Sequence, residues 1–165
     1  MGYKMVFSDM DGTLLWKGVR VSVENSAAIR KAVDKGVEFV ICTGRGVFGV
    51  EKHLQELHLL GKKGYVICQN GAAVYDLRDM HLELVKKGVS KGNALAATAQ
   101  EANVPLAETI AIGDSDNDLS MILQAGLGVA MKNGEAHVKA AADYITERSC
   151  EENGVAEVIE KFILK

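Results

Sequence analysis

Short apolar runs alternate with amphipathic stretches along the chain, and this pattern predicts strands separated by helices. The apolar runs predict buried strands at 4–8, 37–42, 65–69, 108–112 and 127–130, with a short one at 143–145. Apolar residues at helical spacing predict helices at 23–35, 46–60, 90–103, 115–125, 135–142 and 152–164. Buried strands that alternate with helices favour an α/β fold, with a mostly parallel sheet covered by helices on both faces.

Polar residues stand where the predicted strands end. Asp9 and Asp11 follow the first strand, Thr43 the second, Asn70 the third and Asp114 the fourth. Because ligands of open parallel sheets bind at the carboxyl ends of the strands, we expect these residues on one rim of the sheet.

Asp9 and Asp11 are spaced so that both point to one side of an extended chain. Two such carboxylates repel each other unless a cation or a shared proton compensates them. Taken alone, Asp11 before Gly12 is explained about as well by a turn that caps the strand.

A second acidic cluster runs from Asp114 to Asp118. Acidic residues favour the first turn of a helix, which accounts for Asp116 or Asp118 but less well for Asp114 at a strand end. Carboxylates gathered on one rim, without histidine or cysteine, are the ligand type that suits Mg²⁺.

Two further features suit phosphate. Lys91 lies directly after the helix-capping candidate Ser90, where the helix dipole disfavours a cation, so it either binds an anion or is a surface lysine. The Thr43 hydroxyl can donate to a phosphate oxygen, and Gly44 lets the backbone approach one. Arg45 is equally compatible with substrate contact and with a surface role.

Together these residues resemble a haloacid dehalogenase superfamily phosphatase of the Cof-type sugar-phosphatase branch. The motifs that carry the resemblance are Asp9-Met10-Asp11-Gly12-Thr13-Leu14, Cys42-Thr43-Gly44-Arg45, Asn70-Gly71-Ala72, Lys87-Gly88-Val89-Ser90-Lys91-Gly92 and Gly113-Asp114-Ser115-Asp116-Asn117-Asp118. The resemblance implies a Rossmann-like (HAD-like) doubly wound sheet, with Mg²⁺ as cofactor and a small phosphorylated molecule as substrate.

The resemblance also implies a role for each residue. Asp9 is expected to attack phosphorus and form an aspartyl-phosphate, and Asp11 to act as acid and base. The implied catalytic residues are Asp9, Asp11, Thr43 and Lys91; the metal ligands are Asp9, Asp11 through its carbonyl, Asp114 and Asp118; and the phosphate-binding residues are Met10, Thr43, Gly44, Lys91 and Asn117. The implied reaction is hydrolysis of sugar-type phosphomonoesters. The alternatives are transfer to a sugar acceptor and a scaffold with feeble catalysis.

Members of that branch carry a cap domain between the third-strand motif and the lysine motif. Here only residues 72–90 lie between Gly71 and Lys91, far fewer than the roughly 50 residues of a small domain. Residues 72–85 predict a β-hairpin in the cap's place, so we expect a single core domain over 1–165 with an open site and broad specificity. An engineered deletion and a natural capless variant both remain open, and a homo-oligomer could cover the exposed rim.

Composition excludes several other classes. The chain has 165 residues, 48% of them hydrophobic and 25% charged, as is ordinary for one soluble domain. The net charge of −3 gives no reason to expect nucleic acid or an anionic membrane as partner. Apolar runs are too short to span a membrane, and no secretory signal is evident. Three widely spaced cysteines read as reduced thiols, which predicts a cytoplasmic protein.

Overall fold

A computed structural model describes residues 2–84 and 88–165 of the chain. Lys87 of the lysine motif and Val85 at the end of the predicted hairpin lie outside the described residues. The strands are β1 Met5–Ser8, β2 Leu15–Trp16, β3 Arg20–Val21, β4 Glu38–Cys42, β5 Tyr65–Cys68, β6 Ala73–Asp76, β7 Leu82–Leu84, β8 Thr109–Gly113, β9 Leu127–Ala130 and β10 Tyr144–Ile145. The α-helices are α1 Val23–Asp34, α2 Glu51–Glu56, α3 Lys91–Glu101, α4 Leu119–Gln124, α5 Ala136–Ala141 and α6 Gly154–Phe162.

The main sheet has the strand order β10-β9-β8-β1-β4-β5-β6-β7. The pairs from β10 to β5 are parallel, whereas β6 and β7 pair antiparallel and extend the sheet at one edge. This order confirms the predicted mostly parallel doubly wound sheet and the hairpin. Two short strands, β2 and β3, form a separate antiparallel ribbon directly after the first loop.

Helices cover both faces of the sheet. Successive strand residues point to opposite sides, and both sets are apolar, so each face is buried under helices. Val6 of β1 packs on the face covered by α1 and α6, where Ile29 and Ile159 are buried. Phe7 packs on the other face against α3, where Leu95 is buried. The strands are therefore apolar on both faces, as their continuous hydrophobic runs indicate.

The helix that carries Lys91 begins where it was predicted to begin. The Ser90 hydroxyl accepts a hydrogen bond of 3.1 Å from the backbone N–H of Asn93, which caps α3. This cap places Lys91 at the first helical position, next to the carboxyl ends of the strands.

The helix predicted at 46–60 is much shorter than expected. A 3₁₀ turn at Val47–Gly49 precedes α2, and His58 with φ +55° follows its end. Gly46 and Gly49 weaken the helical start, and the turn leaves Phe48 91% exposed. No helix within 2–84 and 88–165 is long and apolar enough to cross a membrane.

Candidate active site

The loops after β1, β4, β5 and β8 meet at the carboxyl edge of the sheet, as the strand ends predict. The parallel register aligns Ser8 with Ile41 on one side and with Ile112 on the other. The ladders continue by one residue, because Asp9 N donates to Ile112 O at 2.9 Å and Thr43 N donates to Ile67 O at 2.9 Å. The backbone at Asp9 and Thr43 is therefore held by the rigid sheet.

Lys91 lies at the centre of the site and is completely buried. Its Nζ donates to Asp9 Oδ1 at 2.5 Å and to Asp118 Oδ1 at 2.6 Å. Burial alone lowers the pKa of an ammonium group, but the charges of Asp9 and Asp118 outweigh this and raise the pKa of Lys91. Lys91 is thus a buried cation shared by two carboxylates, and the surface alternative is wrong.

Asp118 and Asp114 are each oriented by specific donors. Asp118 Oδ2 accepts from the backbone N–H groups of Asp114 at 2.9 Å and Ser115 at 3.1 Å. Asp114 Oδ1 accepts from Thr13 Oγ1 at 2.8 Å. Within the described residues, Asp9, Asp114 and Asp118 bring carboxylate oxygens within 4.8 Å of one another and could hold a metal ion.

The charges of this cluster fit a divalent cation. Three carboxylates face one ammonium group, so the site carries excess negative charge in a buried position. Burial and the charge of Asp118 raise the pKa of Asp9 to about 7, even though Lys91 opposes the shift. Burial is also the main reason that the pKa of Asp114 rises to about 6. Oxygen ligands with uncompensated charge suit Mg²⁺.

Glycines make room for these carboxylates. Gly12 has φ +82°, and a Cβ atom there would lie 2.5 Å from Asp114 Oδ2. A Cβ atom on Gly113 would lie 2.4 Å from the Cβ of Asp118. A Cβ atom essentially never makes nonbonded contacts this short, so a side chain at either position would displace the acidic cluster.

Gly12→Ala is expected to lower the free energy of unfolding by about 2–5 kcal/mol, which combines left-handed strain with overpacking against Asp114. Gly36→Ala is the matched control, since Gly36 has φ +87° but no atom within 4 Å of the added Cβ. Gly36→Ala is expected to lower the free energy of unfolding only by the left-handed strain, about 1–2 kcal/mol. Urea unfolding measures both, and equal losses would contradict the steric role of Gly12.

Asp11 does not point into the acidic cluster. Its half-exposed carboxylate accepts from Arg45 Nε at 2.9 Å and from Arg45 Nη2 at 2.5 Å. The two-residue spacing fails to bring Asp9 and Asp11 to one side because β1 ends at Ser8, so the chain is already turning at Asp11. Arg45, which the sequence left open between substrate and surface, lies at the mouth of the site.

The predicted phosphate-binding residues lie around the same mouth. Thr43 is buried, and its Oγ1 accepts from the N–H of Arg45 at 3.1 Å. The Met10 side chain belongs to the hydrophobic core, so only its backbone can face a phosphate. Asn117 is exposed and donates through Nδ2 to Asn70 Oδ1 at 2.9 Å.

The sequence pattern of the haloacid dehalogenase-like hydrolases matches residues 6–81 and 73–159. The chain belongs to this family. A 5-amino-6-(5-phospho-D-ribitylamino)uracil phosphatase from Bacillus subtilis is 29% identical over 243 residues, an alignment that covers 98% of this chain and 96% of the relative. A phosphoglycolate phosphatase from Methanothermobacter thermautotrophicus is 25% identical over 218 residues, which cover 94% of this chain and 96% of the relative.

A solved structure of a haloacid dehalogenase-like hydrolase from Bacteroides thetaiotaomicron shares the fold. It superposes with a TM-score of 0.90 at 22% identity and covers 96% of this chain and 99% of that one. The family and its phosphatase relatives confirm the predicted hydrolase fold and the enzyme class, a phosphatase. Both sequence alignments run over more residues than the 165 of this chain, so each relative has a long segment without a counterpart here.

The sequence prediction missed the loop after β9. In this hydrolase, the loop donates hydrogen bonds to the backbone of the two loops that carry Gly12 and Asp114. Asn133 Nδ2 donates to the Gly12 carbonyl at 2.8 Å, and its Oδ1 accepts from Cys150 N at 2.8 Å. Glu135 N donates to the Asp114 carbonyl at 2.8 Å. The available signal was position, because this loop follows a parallel strand on the same rim.

Proposed function

We propose that the chain is a Mg²⁺-dependent phosphomonoester hydrolase that acts on small, sugar-type phosphates through an aspartyl-phosphate on Asp9. The observation that carries the proposal is the buried Asp9 carboxylate, held by Lys91 and placed beside Asp114 and Asp118 at the carboxyl edge of the sheet.

The first half of the reaction transfers the phosphoryl group to Asp9. Lys91 holds Asp9 Oδ1, which orients the carboxylate for attack on phosphorus. A bond forms between a carboxylate oxygen of Asp9 and phosphorus while the ester P–O bond breaks. Asp11, half-exposed and ion-paired with Arg45 at the mouth, would first separate from Arg45 and take a proton from solvent, and would then deliver that proton to the departing oxygen.

The second half restores the enzyme. Water attacks the phosphorus of the aspartyl-phosphate, Asp11 accepts the proton, and phosphate leaves as Asp9 regains its carboxylate. Asp9, the Asp11 carbonyl, Asp114 and Asp118 would hold Mg²⁺, which when bound would neutralise charge on the phosphoryl oxygens. The fixed positive charge of Lys91 also stabilises the negative charge on the phosphoryl oxygens. Phosphoryl transfer depends mainly on such charge stabilisation and on positioning.

The Thr43 hydroxyl, the backbone N–H groups of Gly44 and Met10, and the Asn117 amide are proposed to bind the phosphoryl oxygens. Their support is that the loops that carry them meet at the carboxyl edge of the sheet, where Asp9 is buried. In this arrangement the protein supplies donors on the side from which the ester enters.

We further propose that the β6–β7 hairpin stands where relatives carry their longer segment, so that residues 1–165 form one core domain without a cap. The two family-matched segments overlap at the hairpin, which supports this position. Lids exclude water and select substrates, so an open site would accept many leaving groups. A cytoplasmic location, suggested by free Cys42, Cys68 and Cys150, and self-association across the rim remain proposals.

Hydrolysis of 4-nitrophenyl phosphate tests the function. We expect turnover with Mg²⁺, loss of turnover with excess EDTA, and recovery when Mg²⁺ is restored. Asp114→Asn is expected to raise the Mg²⁺ concentration needed for half-maximal activity by at least roughly 10–100-fold, because the loss of a group that merely supports a metal ligand already has that effect. The control is Asp34→Asn on the exposed end of α1. Full activity in EDTA would rule the metal-dependent mechanism out.

Product analysis in the same assay separates hydrolysis from transfer. With an added hexose, hydrolysis releases one inorganic phosphate for each nitrophenol. Transfer instead leaves a sugar phosphate and a deficit of inorganic phosphate.

A further inference from the structure

The turn after β5 has a backbone that is unusual for its residues. Gln69, Asn70 and Gly71 follow one another with φ +52°, +55° and +95°. Asparagine tolerates the left-handed region better than most residues, whereas glutamine does so poorly. Strained backbone of this kind concentrates where a protein must hold a side chain in one place for a ligand.

Neighbouring elements of the site hold this turn on both sides. Gln69 N donates to Arg45 O at 3.0 Å, and Asn70 N donates to Thr43 O at 3.0 Å. On the other side, a Cβ atom on Gly71 would lie 2.3 Å from the carbonyl oxygen of Ser90, directly before Lys91. The turn is therefore wedged between the Thr43 loop and the start of α3, and its strain is maintained by packing.

The position of this turn places the Asn70 amide beside Gly44, in the loop after β4 that is proposed to bind phosphate. A Cβ atom on Gly44 would lie 3.2 Å from Asn70 Oδ1 and 3.4 Å from Asn70 Nδ2. Asn70 Oδ1 accepts from Asn117 Nδ2 at 2.9 Å, and Asn117 Oδ1 accepts from Ser115 Oγ at 2.9 Å. Within the described part of the chain, Asn70 Nδ2 donates no hydrogen bond to another residue, so the exposed amide, held through its Oδ1, has a free donor beside Gly44.

We propose that Asn70 is a substrate-binding residue whose Nδ2 donates to an oxygen of the phosphoryl group, and that Asn117, besides its own contact with that group, orients the Asn70 amide. The proposal deepens the phosphatase function given above and rests on it. An amide suits this place because it supplies a donor without a charge that would compete with Lys91 for the carboxylates.

Asn70→Gly is the decisive variant because glycine adopts the left-handed backbone freely and removes only the amide. We expect the inhibition constant of inorganic phosphate and the KM for 4-nitrophenyl phosphate to rise roughly tenfold or more, as for loss of a hydrogen bond to a charged group. Asn70→Asp is expected to weaken phosphate binding further, since a carboxylate repels phosphate. Asn103→Gly is the matched control, with φ +58° beyond the far end of α3.

A double-mutant cycle tests the role of Asn117. If Asn117 orients Asn70 as well as binding phosphate itself, Asn117→Ala weakens phosphate binding clearly more in the native background than in Asn70→Gly, whereas equal losses in both backgrounds would contradict the orienting role. The Mg²⁺ concentration for half-maximal activity is expected to stay within twofold in Asn70→Gly, which a general loosening of the site would not allow.

Calorimetric binding of inorganic phosphate in the presence of Mg²⁺ provides a readout that does not depend on turnover. If the native chain binds phosphate and turns over substrate while folded Asn70→Gly and Asn70→Asp match it within twofold, the assignment of Asn70 is overturned. If the native chain binds phosphate in an Asn70-dependent way but hydrolyses no ester, the proposed function fails and the assignment stands. Absence of phosphate binding by the native chain overturns the assignment as well.

Discussion

Asp9→Asn is expected to reduce turnover of 4-nitrophenyl phosphate by roughly a thousandfold or more, because an amide cannot form the covalent intermediate. The same change is expected to stabilise the metal-free protein. It removes one of the carboxylates that share Lys91 and leaves Lys91 paired with Asp118. We expect the free energy of unfolding at pH 8 in EDTA to rise by about 1–2 kcal/mol, the usual exchange between activity and stability in a strained site.

The stabilisation should depend on pH in a defined direction. Burial raises the pKa of Asp9 from 3.8 to about 7 in the folded protein. A carboxyl group with a raised folded pKa stabilises the fold at low pH and loses that contribution as pH rises through the folded value. The advantage of Asp9→Asn over the native chain is therefore expected to be large above pH 7 and to shrink towards pH 4.

Urea unfolding between pH 5 and pH 8, with and without Mg²⁺, measures this effect. Mg²⁺ is expected to favour the native chain over Asp9→Asn, because only the native chain keeps all three carboxylates. Asp34→Asn controls for removal of an exposed charge and should change stability by less than about 0.5 kcal/mol. Native-like turnover in Asp9→Asn would overturn the mechanism.

Lys91→Met is expected to be the most destabilising single change in the site. It removes a fully buried cation and leaves Asp9 and Asp118 facing each other without compensation. Breaking a buried ion pair from one side costs about 3–5 kcal/mol. Turnover should fall by roughly 10²–10³-fold, because a fixed charge at the phosphoryl group is lost.

A second substitution separates the effect of lost charge pairing on stability from the effect of lost packing at Lys91. Lys91→Met combined with Asp118→Asn should recover part of the lost stability but not the activity, because it removes one uncompensated charge and a metal ligand together. Lys31→Met, at an exposed position of α1, is the control for methionine in a helix. A loss of less than about 1 kcal/mol in Lys91→Met would show that the buried cation is not a structural necessity.

The strand ends carried most of what could be predicted about the site. Continuous apolar runs indicate parallel strands, and parallel strands place their carboxyl ends on one rim, so Asp9, Thr43, Asn70 and Asp114 could be brought together without a structure. The Ser90 cap was equally local, since it depends only on a hydroxyl and the next turn of backbone. Capping and strand burial are decided by nearby residues and are visible in the sequence.

The length of the second helix and the direction of the Asp11 side chain could not be predicted from the sequence. The segment 46–60 has helical periodicity, but glycines and a left-handed residue limit α2 to Glu51–Glu56. Asp11 was expected beside Asp9, yet the strand ends first and Arg45 captures its carboxylate. Both depend on where the chain turns, which local periodicity does not specify.

The sequence by itself determined the sheet and the order of the polar residues along its carboxyl edge, and it predicted which of them would hold a cation and a phosphate. Only the tertiary structure decided which of these side chains contact one another. Lys91 becomes a buried partner of Asp9 and Asp118, Asp11 turns to Arg45, and Asn70 is held by Asn117. The physical reason is that charge pairing and burial depend on distances between segments far apart in the chain, which no local pattern of apolar and polar residues records.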